Sequence, residues 1–493
     1  MKRIAILACA LLALALVGSA QERSKQASDR QKVQLTVYNQ NFALVREQRA
    51  IELDKGVNFV RVEDVAAQID PTSIHFLSLT APDSVVVREQ EYQYDMLTTD
   101  NILNKSVGKR VRLRRVTPQG VDIIEGTLLT PATVVMPPGE TGGGGQQRLS
   151  LAIKTDKGVV LNPQGEWTLD ELPAGLLAKP TLLWKLETTR AGKHNGQISY
   201  ITARINWMTD YVAVANAADD KVDLNGWVTI DNKSGARYPE ATLQLMAGDV
   251  RRITREALYM PLNALARRTA AAPAPQFEEK TFFEYHLYTL AGTTTIEDNS
   301  TKQLSLLSAA GVPVKKLYIF DPMRQYWFNW YPGQGQPGAG EDTQKGKVNV
   351  MLELTNTKEN HLGMPLPRGK MRIYKADDKG RLQFVGEDQI DHTPKDEKIR
   401  LWVGDAFDIV GERGRTEFQR VSDRVEEDAY SITLRNHKDA AVEVLVVERL
   451  AGDWKVLSKT HAFNQKDAHT IEFPVQVPKD GAVTVTYRVR IQW

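Results

Sequence analysis

Hydrophobic and polar residues alternate with a period of two through most of the chain after residue 32. Successive side chains of a β-strand point to opposite faces, so this alternation predicts strands with one buried side and one solvent-facing side. β-Branched and aromatic residues are enriched in these segments, and Gly, Asn, Asp or Pro separate them, as is typical of antiparallel sheets. The clearest segments are VQLTVYN, VNFVRVEDV, SVVVREQEYQY, KRVRLRRV, GWVTIDN, KVNVMLELTN, YSITLRN, VEVLVVERL and VTVTYRVRIQW. The pattern predicts a mainly β, two-domain protein of antiparallel β-sandwich or barrel type.

Helical periodicity is scarce. Residues 95–106, DMLTTDNILNKS, place several apolar side chains partly on one side and are followed by Gly108, which predicts a short helix that ends there. A strand, a turn and a second strand that bends at Gly126 come next. A short helix feeding a bent meander is how small SH3-like or Sm-like barrels begin, and a plain β-sandwich fits the same pattern.

Changes in composition divide the chain into predicted domains. Residues 21–32 have no apolar periodicity and are predicted to form a disordered leader. The Pro/Gly-rich stretch LPAGLLAKP indicates a boundary between an N-terminal β domain, residues 33–177, and a C-terminal β-sandwich domain, residues 178–493. Ala/Pro-rich and Gly/Pro-rich compositions predict flexible insertions near residues 255–278 and 331–347.

The first twenty residues have the pattern of a secretory signal peptide. Lys2 and Arg3 precede an apolar run, Ile4 to Val17, and Gly18-Ser19-Ala20 supplies the small residues of a cleavage site after Ala20. The run of 14 residues is too short to span a bilayer, which needs about 20. We therefore expect a periplasmic or secreted protein with no transmembrane helix in the mature chain.

Composition excludes several classes of function. Cys9 is the only cysteine and leaves with the signal peptide, so the mature chain has no disulfide and no thiolate ligand or nucleophile. Removal of Lys2 and Arg3 lowers the basic count from 63 to 61, equal to the 61 acidic residues, so the mature net charge is 0. Such a balance argues against a nucleic-acid partner. The arginines of KRVRLRR, residues 109–115, are accordingly expected to form a solvated or ion-paired face, with a lipid phosphate or anionic glycan as the alternative partner.

An aromatic run provides the strongest candidate for a binding site. Residues 326–331, YWFNWY, place aromatic side chains on both faces of one predicted strand, although a strand normally buries only one. Either a neighbouring domain or loop covers the second face, or that face is exposed for stacking sugars or gripping a partner. The candidate contacts for a ligand or partner are Tyr326, Trp327, Trp330 and Tyr331.

A second polar stretch combines three carboxylates with an imidazole. Residues 386–394, GEDQIDHTP, contain the residue types used in acid–base and metal sites. Strand alternation, however, separates Glu387 from Asp388 and His392, and Pro394 ends the pairing. The preferred interpretation is a polar strand end, with a metal or anion contact as the alternative.

Sequence motifs of common enzymes are absent. The chain has no GxSxG elbow, no phosphate-binding GxxxxGK[ST] loop, no HExxH and no complete calcium loop. No catalytic, metal or cofactor-binding residue is therefore predicted, and no cofactor is expected. A site assembled from distant carboxylates stays open, because glycosidase pairs leave no local signature.

Several longer stretches are similar to one protein family. ISYITARINWMTDYVAV and GWVTIDNKSGARYPEATLQLMAGDVRR resemble the domain-of-unknown-function 4139 family, the mucoidy-inhibitor-like proteins, as do PLPRGKMRIYKADDKGRLQFVGEDQIDHTP and LWVGDAFDIVGER. The resemblance covers most of the mature chain and implies a β-rich bacterial envelope protein without established catalytic residues. The mucoidy label implies an indirect link to exopolysaccharide control. This chain lacks the long helical hairpin that the mucoidy inhibitor carries between its β domains.

Together these features predict an exported envelope protein that acts by binding or scaffolding, with envelope proteins or polysaccharide as partners. One alternative is an envelope hydrolase that uses a carboxylate pair, and another is an outer-membrane-associated barrel, which the alternation of the closing VTVTYRVRIQW also fits. A deep cleft with two facing carboxylates of shifted pKa would favour the hydrolase. Exposed aromatic side chains without such a cleft would favour binding.

Overall fold

The computed structural model describes residues 24–118, 120–136, 145–248, 250–251, 277–282, 285–324, 343–377 and 379–493. Within these ranges the protein is mainly β and rich in antiparallel pairs, so the fold class that the alternating pattern predicted is confirmed. The strands pack around three hydrophobic clusters. The largest lies within residues 27–401, the second within residues 320–491, and a small one within residues 103–153.

The N-terminal strands alternate as predicted, with one side chain in two buried. Two short 3₁₀ helices, Pro71–Ser73 and Pro82–Ser84, connect the later strands, and Asp70 caps the first by accepting from Thr72 N at 3.1 Å. The strands are β1 (Lys25–Gln26), β2 (Lys32–Tyr38), β3 (Phe42–Leu53), β4 (Gly56–Glu63), β5 (His75–Ser78) and β6 (Val85–Gln93).

The next segment forms a small unit with its own core. The predicted helix is present but shorter: α1 spans Thr99–Asn104, because Thr98 caps it through Oγ1, which accepts from Asn101 N at 3.2 Å. No helix in the described part of the chain is both long and apolar enough to cross a membrane. The strands of this unit are β7 (Arg110–Thr117), β8 (Gly120–Leu128), β9 (Thr133–Met136), β10 (Gly145–Arg148), β11 (Ala152–Thr155), β12 (Gly158–Leu161) and β13 (Glu166–Thr168).

This small unit is an open sheet of order β12-β11-β8-β7-β13, beside the hairpin of β9 and β10. The arginines of β7 are ion-paired with acidic residues of the neighbouring strands and of the segment after β13, as expected. Arg110 bonds Glu125 at 2.9 Å, and Arg114 bonds Glu166 at 2.9 Å. All of these partners are solvent-exposed, so the pairs make at most small contributions to stability.

The central part of the chain supplies longer strands. They are β14 (Thr181–Thr188), β15 (Gly192–Ala203), β16 (Ile205–Ala215), β17 (Lys221–Asn232), β18 (Tyr238–Ala247), β19 (Phe277–Phe282), β20 (Tyr285–Leu290), β21 (Thr294–Ile296), β22 (Ser300–Pro313), β23 (Lys315–Phe320), β24 (Thr343–Thr355), β25 (Gly369–Ala376) and β26 (Leu382–Ile390). Their sheets have the orders β1-β4-β14-β6, β19-β20-β18-β2-β3-β15-β5 with β21 beside β18, and β22-β17-β16-β25-β26. Strands β14 and β15 follow the predicted boundary at residue 178 but pair with β3, β4, β5 and β6, which precede it.

The C-terminal strands complete a nine-stranded sheet. They are β27 (Lys398–Ser422), β28 (Val425–Asn436), β29 (Val442–Arg449), β30 (Asp453–Lys459), β31 (Asn464–Asp467), β32 (Thr470–Val477) and β33 (Gly481–Gln492). The order is β30-β33-β28-β27-β24-β23-β29-β32-β31. The sheet folds back on itself so that β32 contacts β28 and β33, and the second hydrophobic cluster lies between the two layers.

Three buried asparagines close strand ends in the same manner. Asn232 and Asn436 are the last residues of β17 and β28, and Asn356 directly follows β24. The amide nitrogen of each donates to carbonyls of two different loop segments, at distances of 2.8 to 3.0 Å. The amide oxygen accepts a backbone N–H two or seven residues later. Each asparagine thereby satisfies loop groups that burial would otherwise leave unpaired.

Candidate functional site

The predicted aromatic site lies outside the described residues, as do Tyr326, Trp327, Trp330 and Tyr331 individually. On either side of it, β23 and β24 are both strands of the nine-stranded sheet. Of the two predicted insertions, residues 277–278 belong to β19 and residues 343–347 to β24, and the remaining residues, 255–276 and 331–342, are outside the described ranges.

The polar stretch at residues 386–394 has a structural role. Within it, β26 ends at Ile390, and the Asp388 carboxylate accepts from Trp402 N of β27 at 2.7 Å. Gly386 lies so close to β27 that a Cβ atom there would be 2.0 Å from Val403 O. The stretch therefore connects β26, the edge strand of the β22-β17-β16-β25-β26 sheet, to β27.

His392 connects the end of β26 to two other segments of the chain. Its Nδ1 accepts from Arg368 N at 3.1 Å, and its Nε2 lies 3.3 Å from Asn39 Nδ2 in the turn between β2 and β3. Thr393 and Leu366 exchange two backbone hydrogen bonds at 2.9 and 2.8 Å. These contacts agree with the preferred interpretation of a polar strand end.

One buried imidazole–hydroxyl pair has the composition of a catalytic dyad. Ser78 Oγ lies 2.9 Å from His194 Nδ1, and His194 Nε2 lies 2.9 Å from Arg190 O. Both side chains are fully buried, so a substrate has no access to the hydroxyl. The pair ties β5 to β15 and the turn before it.

The strongest candidate site lies where β27 and β28 extend beyond their described pairing with β24. Among the described residues, that pairing reaches Gly414, opposite Thr343, whereas β27 and β28 continue together to Ser422 and Val425. Beyond Gly414 the described sheet is a ribbon of β27, β28, β33 and β30. The inner face of this ribbon is therefore a continuation of the core-facing side of the sheet.

Along β28, the core-facing side changes from apolar to polar towards the end of the ribbon. Ile432 of β28 is fully buried in the core, and Tyr430, Asp428 and Glu426 follow on the same face towards the ribbon. Asp428 is opposite Phe418 of β27 and Val489 of β33 in the strand register. Titratable side chains thus replace aliphatic ones on the inner face, beyond the described end of β24.

The deepest part of this end is a buried ion pair surrounded by tyrosines. Arg413 Nε donates to both oxygens of Glu448 at 2.9 and 3.0 Å, and Tyr487 Oη also donates to Glu448. The guanidinium lies 3.9 Å above the ring of Tyr430. Burial raises the pKa of Tyr430 to about 12, although Arg413 acts in the opposite direction.

Two carboxyl groups lie between this ion pair and the ribbon end. Asp428 Oδ1 accepts from Arg415 Nε at 2.6 Å, whereas Asp428 Oδ2 is buried without a partner. The pKa of Asp428 is raised, because the effect of burial exceeds the opposing effect of Arg415. The pKa of Glu426 is also raised, by burial and by the charge of Asp428. Gln344, opposite Arg413 on β24, also has both side-chain polar atoms buried and unpaired. Such unsatisfied groups are rare in proteins.

A cavity of about 400 Å³ opens at the end of the ribbon. This hairpin cavity is lined by Phe418, Arg420, Ser422, Asp423, Val425, Glu426 and Trp493. Phe418 is 51% exposed and Trp493 is 36% exposed. The volume lies within the range of small-molecule sites, about 300–1,000 Å³. The cavity therefore combines exposed aromatic surface with a hydroxyl, a guanidinium and two carboxylates.

The arrangement fits hydrogen bonding and stacking better than metal binding. Among the described residues no group of three or more His, Cys, Asp or Glu side chains could hold a metal ion. Glu426 and Asp428 are two positions apart on one strand face, so they do not face each other across the cavity.

Sequence reasoning missed this site because β28 was treated as a strand without attention to which face each residue occupied. The signal was present in RVEEDAYSITLRN. The face that carries Tyr430, Ile432 and Leu434 continues backwards through Asp428 and Glu426, so two acids occupy positions where the alternation demands buried side chains. A charged residue in an apolar register is more informative than a cluster of neighbouring charges.

The substitution Glu426→Gln tests the environment of the cavity carboxyl. The pKa of Glu426 in the folded protein is raised above its ordinary value of 4.5, so the native state holds a proton that the unfolded state has already lost. Stability therefore falls as pH rises from 4.5 through the folded pKa. We expect the variant to be more stable relative to the native chain at pH 7 than at pH 4, by less than about 1 kcal/mol because the group is partly exposed.

Urea unfolding at the two pH values measures this difference. Glu427→Gln is the matched control, since Glu427 lies on the opposite face and accepts from Arg490 Nε at 2.9 Å. The control should lose stability at pH 7. A Glu426→Gln variant whose relative stability is equal at both pH values, or falls towards pH 7, would contradict the prediction.

Comparison of the chain with models of known protein families and with curated proteins returned no match in either case.

Proposed function

We propose that this chain is an exported envelope protein that acts by binding, and that the hairpin cavity is its ligand-facing surface. The observation that carries the proposal is the placement of exposed Phe418 and Trp493 beside hydrogen-bonding side chains in one cavity. Exposed aromatic surface next to a few fixed polar groups is the composition expected of a binding site. Export is supported by the signal-peptide pattern of residues 1–20.

The carboxyl geometry favours binding over hydrolysis. Glycoside hydrolases place their two carboxyl groups on either side of the scissile bond, with room for substrate between them. The two carboxyl groups with raised pKa near the cavity, Glu426 and Asp428, instead follow each other on a single strand face. Asp428 is also bonded to Arg415, an arrangement typical of a structural carboxylate.

Site-specific photo-cross-linking in intact cells that export the protein tests the proposal. A photoreactive p-benzoylphenylalanine in place of Val421, which is 49% exposed and adjacent to the cavity-lining Arg420, should form an adduct with the native ligand or partner on illumination. The same residue in place of Leu161, exposed on the small unit, is the control and should give none. The Val421 adduct should disappear when Phe418→Ala is added.

An adduct of equal yield from both positions, or one that persists in the Phe418→Ala background, would contradict the proposed surface. Absence of any adduct from position 421 would contradict binding at the cavity in cells.

A further inference from the structure

We infer that the hairpin cavity takes a saccharide, that is, a ring-shaped ligand with apolar C–H faces and many hydroxyl groups. The inference rests on the proposed binding function and adds to it the chemical class of the ligand. It follows from the way the aromatic rings are held, from the mixed signs of the lining charges, and from the unpaired acceptor behind them.

The Phe418 ring and the backbone of Trp493 are held in place by contacts within the ribbon. The guanidinium of Arg415 lies 4.1 Å from the centre of the Phe418 ring, and half of Phe418 is nevertheless exposed. Trp493 N donates to Arg424 O at 3.0 Å, which fastens the backbone of Trp493 to the tip of the β27–β28 hairpin. Fixed, exposed rings present flat apolar surface at low entropic cost, and the C–H faces of sugar rings pack on such surface.

The polar lining matches hydroxyl groups better than ions. Arg420 can only donate hydrogen bonds, whereas ionised Asp423 and Glu426 can only accept them. Arg420 and Asp423 form an exposed ion pair at 3.5 Å, which leaves further donors on the guanidinium and further acceptors on the carboxylate. A phosphate is repelled by the two carboxylates, and an ammonium offers only donors to the guanidinium and is repelled by it. A hydroxyl both donates and accepts, so one polyhydroxylated ligand can satisfy all three side chains at once.

A buried acceptor extends the same chemistry inwards. Asp428 lies two positions beyond Glu426 on the same strand face, and its Oδ2 atom is buried with no hydrogen bond of good geometry, although the nearby Tyr430 hydroxyl acts to lower the pKa of this carboxyl. An orphaned carboxylate oxygen costs stability unless a donor reaches it. A ligand hydroxyl, or a water carried with the ligand, would supply that donor.

Isothermal titration calorimetry with the purified mature chain tests the inference. The probes are neutral glucan oligomers, chitin oligomers and uronate oligomers, with inorganic phosphate and choline as ionic probes. We expect at least one neutral or amino-sugar oligomer to bind, and neither ionic probe to bind at the same concentration. The fluorescence change that accompanies binding should be lost in Trp493→Phe.

Two matched variants locate the binding. Phe418→Ala should weaken the saccharide affinity by about tenfold or more, because it removes the stacking surface. Val421→Ala truncates an equally exposed apolar residue that does not line the cavity, and should leave affinity unchanged within about twofold. Circular dichroism of both variants should match that of the native chain. Equal weakening by the two variants would overturn the assignment to the cavity.

The failures of the two proposals are distinguishable. No binding of any neutral or amino-sugar oligomer, or binding of phosphate or choline instead, would overturn the saccharide inference. A protease-sensitive, Phe418-dependent adduct from position 421 would then still support a binding function with a protein ligand. Saccharide binding in the calorimeter with no adduct in intact cells would support the ligand class and overturn the proposed role in the envelope.

Discussion

Glu448→Gln is expected to destabilise the nine-stranded sheet by about 3–5 kcal/mol, the usual cost of removing one partner of a buried ion pair. Arg413 and Glu448 are 2% and 0% exposed, so solvent does not stabilise the guanidinium when the carboxylate charge is removed. The glutamine keeps the shape of the side chain and can still accept from Arg413 Nε. It leaves the guanidinium, however, as a buried cation without a counter-charge.

Hydrogen exchange followed by mass spectrometry measures the effect where it occurs. The expected loss corresponds to two to four powers of ten, roughly, in the exchange rates of the most protected amides of β27, β28 and β29. Amides of β2 and β3, in the other large core, should be unaffected.

The control is Glu443→Gln, the same chemical change at an exposed position of β29, where Glu443 accepts from Gln476 Nε2 at 3.0 Å. It should alter stability by less than about 0.5 kcal/mol. The double variant Arg413→Met/Glu448→Leu removes both charges and should recover most of the loss. A double variant as unstable as Glu448→Gln would contradict the explanation by an unpaired charge.

The strands could be predicted because their alternation is local. GWVTIDN and YSITLRN each lie in a strand of the structure, and VTVTYRVRIQW does so up to Gln492. Their partners could not be predicted in the same way. β2, for example, pairs in parallel with β18, some two hundred residues later, and alternation contains no information on that register.

The buried charges could not be predicted from composition either, because Arg and Glu usually lie at the protein surface. VREQRAIEL contained a usable signal. Val45, Glu47, Arg49, Ile51 and Leu53 occupy every second position, so one face of β3 had to be either half charged or an ion pair inside a core. The same reasoning identifies Asp428 and Glu426 in β28 as acids on a core-facing side of a strand. The carboxylates of residues 386–394 stood together in sequence, yet they serve the junction with β27.

A buried charge also explains why part of the predicted disordered leader, residues 21–32, is ordered. The segment lacks apolar periodicity, but its strand β1 pairs with β4, and the side chain of Arg30 is buried beside Glu47. Arg30 Nε lies 2.8 Å from Glu47, and its other nitrogens donate to the carbonyls of Arg237 and Asp64. The buried Arg30 ion pair therefore helps to order this polar segment, together with Ala27 in the largest core and backbone hydrogen bonds to β3 and β4.

Glu47→Gln should consequently destabilise the largest core by at least about 3–5 kcal/mol. Glu47 is fully buried and is the shared partner of two guanidinium groups, Arg30 at 2.8 Å and Arg49 at 2.8 Å. Burial alone would lower the pKa of Arg30, but Glu47 and the neighbouring groups hold that pKa above its usual range. Without the carboxylate, two buried cations lie beside each other with no counter-ion between them.

Variants that remove a cation instead of the shared anion test this explanation more sharply than Glu47→Gln alone. Arg30→Met leaves Glu47 and Arg49 as a balanced pair, so it should cost less than Glu47→Gln although it removes more contacts. Glu52→Gln, on an exposed position of the same strand, should cost less than about 1 kcal/mol. Hydrogen exchange should show residues 24–32 and β3 losing protection together in Glu47→Gln. If Arg30→Met proves the more damaging substitution, the segment is held by the packing of Arg30 and its carbonyl contacts rather than by the charge of Glu47.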